Sequence, residues 1–459
     1  MLLNCAMSTD CSGALPVYGS TADTKGHWGE IHGGEHGCDL RENAVGSGGG
    51  TPRKTEWGLR GGNESQEGVD SIVMSELEAV KSFSGSWMTV LSTYRLFVAG
   101  GSEVVVGELA EGFDPQDPEV AEALDSFGGR SYVAPESGEG SVVLTRPAAP
   151  LSPHRWLVHG LLLFATLVTT HMAGALLYGV DPMAANFVEV GSFWLPVPTG
   201  IDWATMALGA PFALTLMGIL LCHELGHFFA ARWHGIRASL PYFIPFPAYY
   251  SAIGTLGAFI RIRGPIVQRA GLLDIGVGGP AASFVLSVVL LAVGLPLSTV
   301  DQGSASQWLP FMVEFAGQPI LIGSGPLVHA MAYWFFPEDL GITPILLHPI
   351  AFAAWVGLFV TFLNLLPFGQ LDGGHILYAL SGRAQRVASI LFLLVLVPAG
   401  RLWWGWWMWA ILVLVLSRGR LVHPKVVQPQ VPLTGPRRWV VGLSILVFLI
   451  TFVPIPIRL

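Results

Sequence analysis

Charge is what this sequence has least of. Only 12% of its 459 residues are Asp, Glu, Lys or Arg, and 52% are hydrophobic. Soluble domains carry about 25% charged residues, so the deficit excludes an ordinary water-soluble chain. The charge is also badly spread. Residues 1–153 hold 22 acids and 9 bases, whereas residues 154–459 hold 10 acids and 15 bases. No basic stripe runs along the chain, which excludes the usual nucleic-acid footprint. Cysteine is scarce too: Cys5, Cys11, Cys38 and Cys222 are too few and too scattered for a disulfide framework. Cys222 reads as a small buried apolar residue. The N-terminal tail lacks the apolar run of a signal peptide, and its acids argue against an organellar transit peptide.

What is present falls into blocks. Residues 1–73 are rich in Gly, Ser, Asn and charge, which predicts a disordered tail. His27, His32, His36 and Cys38 lie in that tail and are read as solvated residues rather than as a metal site. Met74 opens the first apolar periodicity, so the functional protein is expected to begin near it. Residues 74–150 are expected to form a small cytoplasmic N-terminal domain, with strands at 91–98 and 104–107. A helix should start at Pro118, capped by Asp117.

Beyond residue 150 lie stretches long enough to span a bilayer, which takes about 20 apolar residues. They run over 156–178, 203–231, 270–297, 347–366 and 439–452. The stretch 390–416 is broken at Pro398 and Gly400 and suggests two short spans. Residues 308–336 read as an interfacial or re-entrant segment at least as well as a span. Lys and Arg cluster after the second span and in 417–438, which predicts those loops and the N-terminal domain to be cytoplasmic. Trp403, Trp404, Trp406, Trp407 and Trp409 read as an interfacial belt.

Within the second span stands His223-Glu224-Leu225-Gly226-His227. Two histidines four apart share one helix face and suit a Zn²⁺ ion. Glu224 sits beside the first and is placed to act as general base. Ionisable groups in a span are costly and usually functional, which disfavours a merely structural helix contact. A catalytic zinc needs a third ligand. Asp372, in Asn364-Leu365-Leu366-Pro367-Phe368-Gly369-Gln370-Leu371-Asp372, is the best candidate, because Pro367 and Gly369 break the helix where a cavity is needed. Gly373 and Gly374 would let the chain approach the metal. Asp274 is the rival, read as an interfacial residue near Arg269. His171 is expected to bond a neighbouring helix, and His375 to support Asp372 from behind.

The two motifs together resemble the site-2 protease family of intramembrane zinc metalloproteases. The resemblance covers about residues 154–382. It implies that His223, His227 and Asp372 bind zinc, that Glu224 is the base, and that Asn364 helps hold the substrate or the developing oxyanion. The stretch Gly278-Gly279-Pro280-Ala281-Ala282-Ser283 is similar to the family's small-residue motif and is read as structural. The family also implies a membrane-inserted hairpin near 239–262. There Gly254–Phe259 would line the cleft and hold substrate extended by strand addition. No PDZ segment is recognisable. The pattern resembles the branch that includes the plastid proteases of the ethylene-dependent gravitropism-deficient and yellow-green type.

The expected fold is thus predominantly α: a polytopic membrane bundle of six to eight helices with a β-hairpin and a small N-terminal α+β region. The protease core should occupy 151–382, and 383–459 should form C-terminal transmembrane helices. The expected substrate is a membrane-anchored protein, and the expected location a prokaryotic cytoplasmic membrane. Two rivals are a zinc transporter, disfavoured by the scarcity of polar groups in other spans, and an inactive scaffold or chaperone, which would be expected to lose Glu224 or a ligand. No suitable Ser/His pair in the spans supports a serine protease.

Overall fold

A computed structural model of the chain describes residues 86–458, apart from 100, 134–139, 149–154, 192, 370, 417–418, 420–422, 424–425 and 429–430. The tail, its His/Cys cluster and the Met74 start lie outside the described residues. Contacts divide the chain into two units that part near residue 148.

The N-terminal unit is a four-stranded sheet in the order β1-β2-β4-β3, with β1 Leu91–Ala99, β2 Ser102–Leu109, β3 Arg130–Val133 and β4 Ser141–Pro147. Helix α1, Pro118–Asp125, starts as expected. Pro118 needs no N–H donor there, and the Asp117 carboxylate accepts from the Glu119 amide at 3.1 Å. Trp87, Phe127, Leu124, Val105 and Leu144 form its core.

The second unit is largely helical. Helices α2 (Trp156–Leu176), α4 (Ala210–Trp233), α5 (Arg269–Gly294) and α9 (Gly382–Ala399) are long and apolar enough to cross a membrane. A short α3, Trp203–Leu208, leads into α4. Helices α6 (Pro326–Phe335), α7 (Pro349–Asn364), α8 (Asp372–Leu380), α10 (Gly405–Leu416) and α11 (Gly435–Thr451) are shorter. The stretch around Pro398 is indeed two helices, α9 and α10. The tryptophan cluster is split: Trp406 and Trp409 are buried, while Trp404 and Trp407 are exposed.

Four helices surround the site, because α4, α5 and α7 pack on one another and α8 packs on α5. Apolar side chains cannot drive this association in lipid, so close backbone approach does. At the α4–α5 crossing Gly226 meets Gly278: a Cβ on Gly226 would lie 2.2 Å from the Gly278 carbonyl oxygen.

Residues 308–336, read as an interfacial or re-entrant segment, are not one continuous helix. They contain an antiparallel hairpin, β10 (Phe311–Phe315) and β11 (Gln318–Ile322), followed by α6. The two-residue turn explains it: Ala316 and Gly317 both take positive φ, 51° and 76°, the backbone that matches strand twist. The hairpin centres a sheet of order β13-β11-β10-β12-β9, completed by β9 (Thr299–Val300), β12 (Ile345–Leu346) and β13 (Ile457–Arg458). Two further hairpins flank α4. One is β5 (Asn186–Val190) with β6 (Phe193–Val197); the other is β7 (Tyr242–Pro245) with β8 (Thr255–Phe259), in the region where a hairpin was expected.

Candidate metal centre

His223, Glu224 and His227 are all buried on α4. Their helical spacing aims both imidazoles at α5. Gly279 of α5 leaves room for the second ring, since a Cβ there would lie 2.2 Å from His227 Nε2. Each ring is held from its far side. His227 Nδ1 lies 2.7 Å from the Ile275 carbonyl oxygen. A carbonyl only accepts, so Nδ1 carries the proton and Nε2 presents its lone pair. His223 Nδ1 lies 2.9 Å from Ser283 Oγ. Ser283 Oγ in turn lies 2.9 Å from Thr361 Oγ1 on α7, which donates to the Gly357 carbonyl at 2.8 Å. Three helices therefore fix one ring.

Asp372 comes from the other side. Helix α7 ends at Asn364, an irregular turn through Pro367 follows, and Asp372 is the first residue of α8. Its Oδ2 lies 3.4 Å from His223 Nε2 and 3.4 Å from His227 Nε2. The two Nε2 atoms are 3.0 Å apart. Ligand atoms about 2.05 Å from a tetrahedral zinc stand about 3.3 Å from one another, so these three atoms have the spacing of one face of such a tetrahedron. Among the described residues this is the one group of three or more His, Cys, Asp or Glu side chains gathered closely enough to hold a metal ion. Asp372 Oδ2 and both Glu224 carboxylate oxygens are buried without a hydrogen-bond partner. Orphaned buried oxygens are costly, and beside two imidazole lone pairs they fit a cation and a reactant. The residues present suit zinc.

Asn364 Nδ2 lies 3.1 Å from His223 Nε2, inside the same pocket. Gly373 and Gly374 lie against the backbone of the preceding turn. A Cβ on Gly373 would fall 1.9 Å from the Leu365 carbonyl oxygen, so its smallness closes the turn before Asp372. Asp274 is not near Arg269 in role: it accepts from Arg437 at 2.9 and 3.2 Å and pairs with His234 Nε2 at 2.7 Å. His171 bonds the Leu167 carbonyl of its own helix at 2.8 Å, not a neighbour. His375 bonds His423 Nε2 at 2.8 Å. Thr361 and the Ile275 carbonyl were missed in the sequence, and Ser283 was read only as packing. The signal for Ser283 was there: Gly276, Gly279 and Ser283 fall at i, i+3 and i+7 on one face of α5.

Site and comparisons agree on the class of protein. Residues 211–397 match the model of Peptidase family M50. The chain is also similar to plastid members, and the resemblance to that branch stands. It is 37% identical over 185 residues to "Probable zinc metalloprotease EGY1, chloroplastic" of Arabidopsis thaliana, covering 40% of this chain and 31% of the relative. It is 30% identical over 250 residues to "Probable zinc metalloprotease EGY2, chloroplastic" of Oryza sativa subsp. indica, covering 53% and 42%. To "Probable zinc metallopeptidase EGY3, chloroplastic" of Arabidopsis thaliana it is 25% identical over 329 residues, covering 69% and 54%. The chain thus spans between about a third and about half the length of these relatives. No solved structure matches it. The names of the relatives place those proteins in chloroplasts, so the expected prokaryotic cytoplasmic membrane finds no support.

Proposed function

We propose that the chain is an intramembrane zinc endopeptidase acting on membrane-anchored proteins, with His223, His227 and Asp372 as the zinc ligands. The observation that carries the reading is the convergence of two outward-braced imidazoles and one orphaned carboxylate inside a membrane-type helix bundle. A bound zinc supplies Lewis-acid chemistry, polarising a carbonyl oxygen and acidifying water.

The remaining work falls to the chain. Ser283 and the Ile275 carbonyl keep the two imidazole protons on Nδ1, so both Nε2 lone pairs face inward. Glu224 takes a proton from the attacking water onto a carboxylate oxygen and delivers it to the leaving amine. Asn364 donates its amide N–H to His223 Nε2 in this structure; with that lone pair engaged, the amide is released to hold a substrate carbonyl. A helical substrate hides its scissile amide in its own hydrogen bonds, so it must be held extended. Strand β8 packs beside α4 and pairs only with β7 among the described strands, which leaves an edge for strand addition. Residues 74–150 stand as a separate domain, 151–382 as the protease core, and 383–459 as membrane helices that bring the total to six to eight. The chloroplastic relatives favour a plastid membrane as the location.

The test compares Glu224→Gln with the parent chain in membranes, measuring both cleavage and zinc content. The expected result is zinc retained in both and cleavage reduced by about 10²–10⁴-fold in the variant. Equal cleavage would sink the mechanism, and zinc absent from both chains would sink the site. Leu256→Pro should abolish cleavage with zinc still bound; unaffected cleavage would reject the β8 edge.

A further inference from the structure

The β5–β6 hairpin takes no part in the metal centre, yet its surface is unusual. Cross-strand partners share a face, and the register pairs Val188 with Leu195 and Asn186 with Val197. One face therefore carries Val188, Val190, Leu195 and Val197, each 46–52% exposed. The opposite face pairs Glu189 with Trp194 and Phe187 with Pro196. That side is the tethered one. Phe187 meets the Tyr249 ring edge-on at 5.6 Å, and the Tyr250 hydroxyl donates to the Trp194 carbonyl at 2.7 Å. The Tyr249 hydroxyl donates to Asp181 at 2.7 Å, just ahead of β5. Among the described residues nothing covers the aliphatic face.

Chain length says what covers it. Helix α2 ends at Leu176, and only residues 198–202 separate β6 from Trp203, the first residue of α3. Five residues reach at most about 18 Å. If α2 and α4 span a bilayer, the hairpin is held at its surface whether or not any protein partner is present. Trp203 is exposed there, as aromatic side chains are at membrane interfaces.

We propose that the β5–β6 hairpin lies flat on the lipid bilayer, its Val188, Val190, Leu195 and Val197 face among the acyl chains and Glu189 turned towards water. An interfacial depth leaves both open strand edges hydrated, which the hydrocarbon core would not allow. Residues 179–202 contain Asp181, Glu189 and Asp202 and no Lys or Arg, so the attraction is apolar and independent of anionic headgroups. The consequence reaches the proposed cleft. The hairpin holds the Ala248–Tyr250 turn that joins β7 to β8, so lipid contact sets the height of the strand edge offered to substrate.

The inference rests on the membrane reading of α2 and α4, and its test separates the two. Single nitroxides are placed through Val188→Cys, Val197→Cys, Glu189→Cys and, midway along α2, Phe164→Cys. The full chain carries them with Cys5, Cys11, Cys38 and Cys222 replaced by alanine, in phosphatidylcholine vesicles with and without phosphatidylglycerol. Accessibility to oxygen and to a water-soluble nickel chelate is read for each. Oxygen should prevail at 164, 188 and 197 and nickel at 189, unchanged by phosphatidylglycerol. Leu195→Cys, opposite Val188, guards against a local perturbation and should behave as 188 does. Nickel reaching 188 and 197 while 164 stays shielded would overturn the hairpin proposal alone. Low access of both reagents at 188 and 197 would mean that protein covers the face, and would overturn it equally. Nickel reaching 164 would overturn the membrane reading and the hairpin with it.

Discussion

Among the described residues, two buried pairs of imidazoles have their rings close together, and only one has the makings of a metal centre. His223 and His227 bring ring nitrogens to 3.0 Å, and His375 and His423 bring theirs to 2.8 Å. By distance the second pair is the tighter. The difference lies behind the rings. In the first pair the Nδ1 atoms are engaged on the outside by Ser283 and Ile275, so two Nε2 lone pairs meet beside the Asp372 carboxylate. In the second, Nδ1 of one ring faces Nε2 of the other, the arrangement of one proton in an ordinary hydrogen bond, and Tyr378 packs on His423 at 4.6 Å. A metal site is thus specified as much by what braces the far nitrogen as by the ligands themselves.

That contrast can be broken in four places. The largest effect is expected from His227→Ala, which should release zinc and abolish cleavage, whereas His423→Phe should keep zinc; elemental analysis of purified chains decides. Gly279→Ala comes next. Its Cβ would stand 2.2 Å from His227 Nε2, on a backbone that α4 already touches. The ring must leave its position, and zinc affinity should fall by about 100-fold or more. Ser283→Ala removes the brace on His223 together with its link to Thr361 and should weaken zinc by about 10–100-fold in a competition with a chelator. Last, His423→Phe should leave zinc affinity within about threefold and cost roughly 1–3 kcal/mol of stability, the price of a lost buried hydrogen bond, seen as a lower melting temperature. Zinc lost from His423→Phe as readily as from Ser283→Ala would erase the distinction between the two pairs.

Much of the site was legible in the sequence because its signals are local. His223 and His227 lie one helical turn apart in an apolar run, and the broken stretch from Asn364 to Asp372 announces backbone at depth. The hairpin near 242–259 and the α1 cap at Asp117 were legible for the same reason: glycine placement and an Asp-Pro pair act within a few residues. Ser283 was seen and misread. Its motif looked like packing, and packing it is, but one small side chain in it also touches His223. The β10–β11 turn escaped because Ala316 takes a conformation that alanine rarely adopts. The β5–β6 hairpin escaped because apolar residues lie on both of its faces, so its alternation is faint.

The sequence by itself determined that this is a chain for a membrane, that α4 carries two imidazoles and a carboxylate on one turn, and that a second carboxylate waits almost 150 residues away. Those facts need only composition and helical period. Only the tertiary structure decided that Asp372, not Asp274, meets the histidines: Asp274 is drawn to Arg437 and His234, while the turn through Pro367 delivers Asp372. It also decided which nitrogen of each ring faces inward, since that depends on partners 48 and 60 residues distant. Pattern along a chain reports what one element presents. Which groups converge, and with which lone pair, is set by how closely α4 and α5 cross at Gly226 and Gly278.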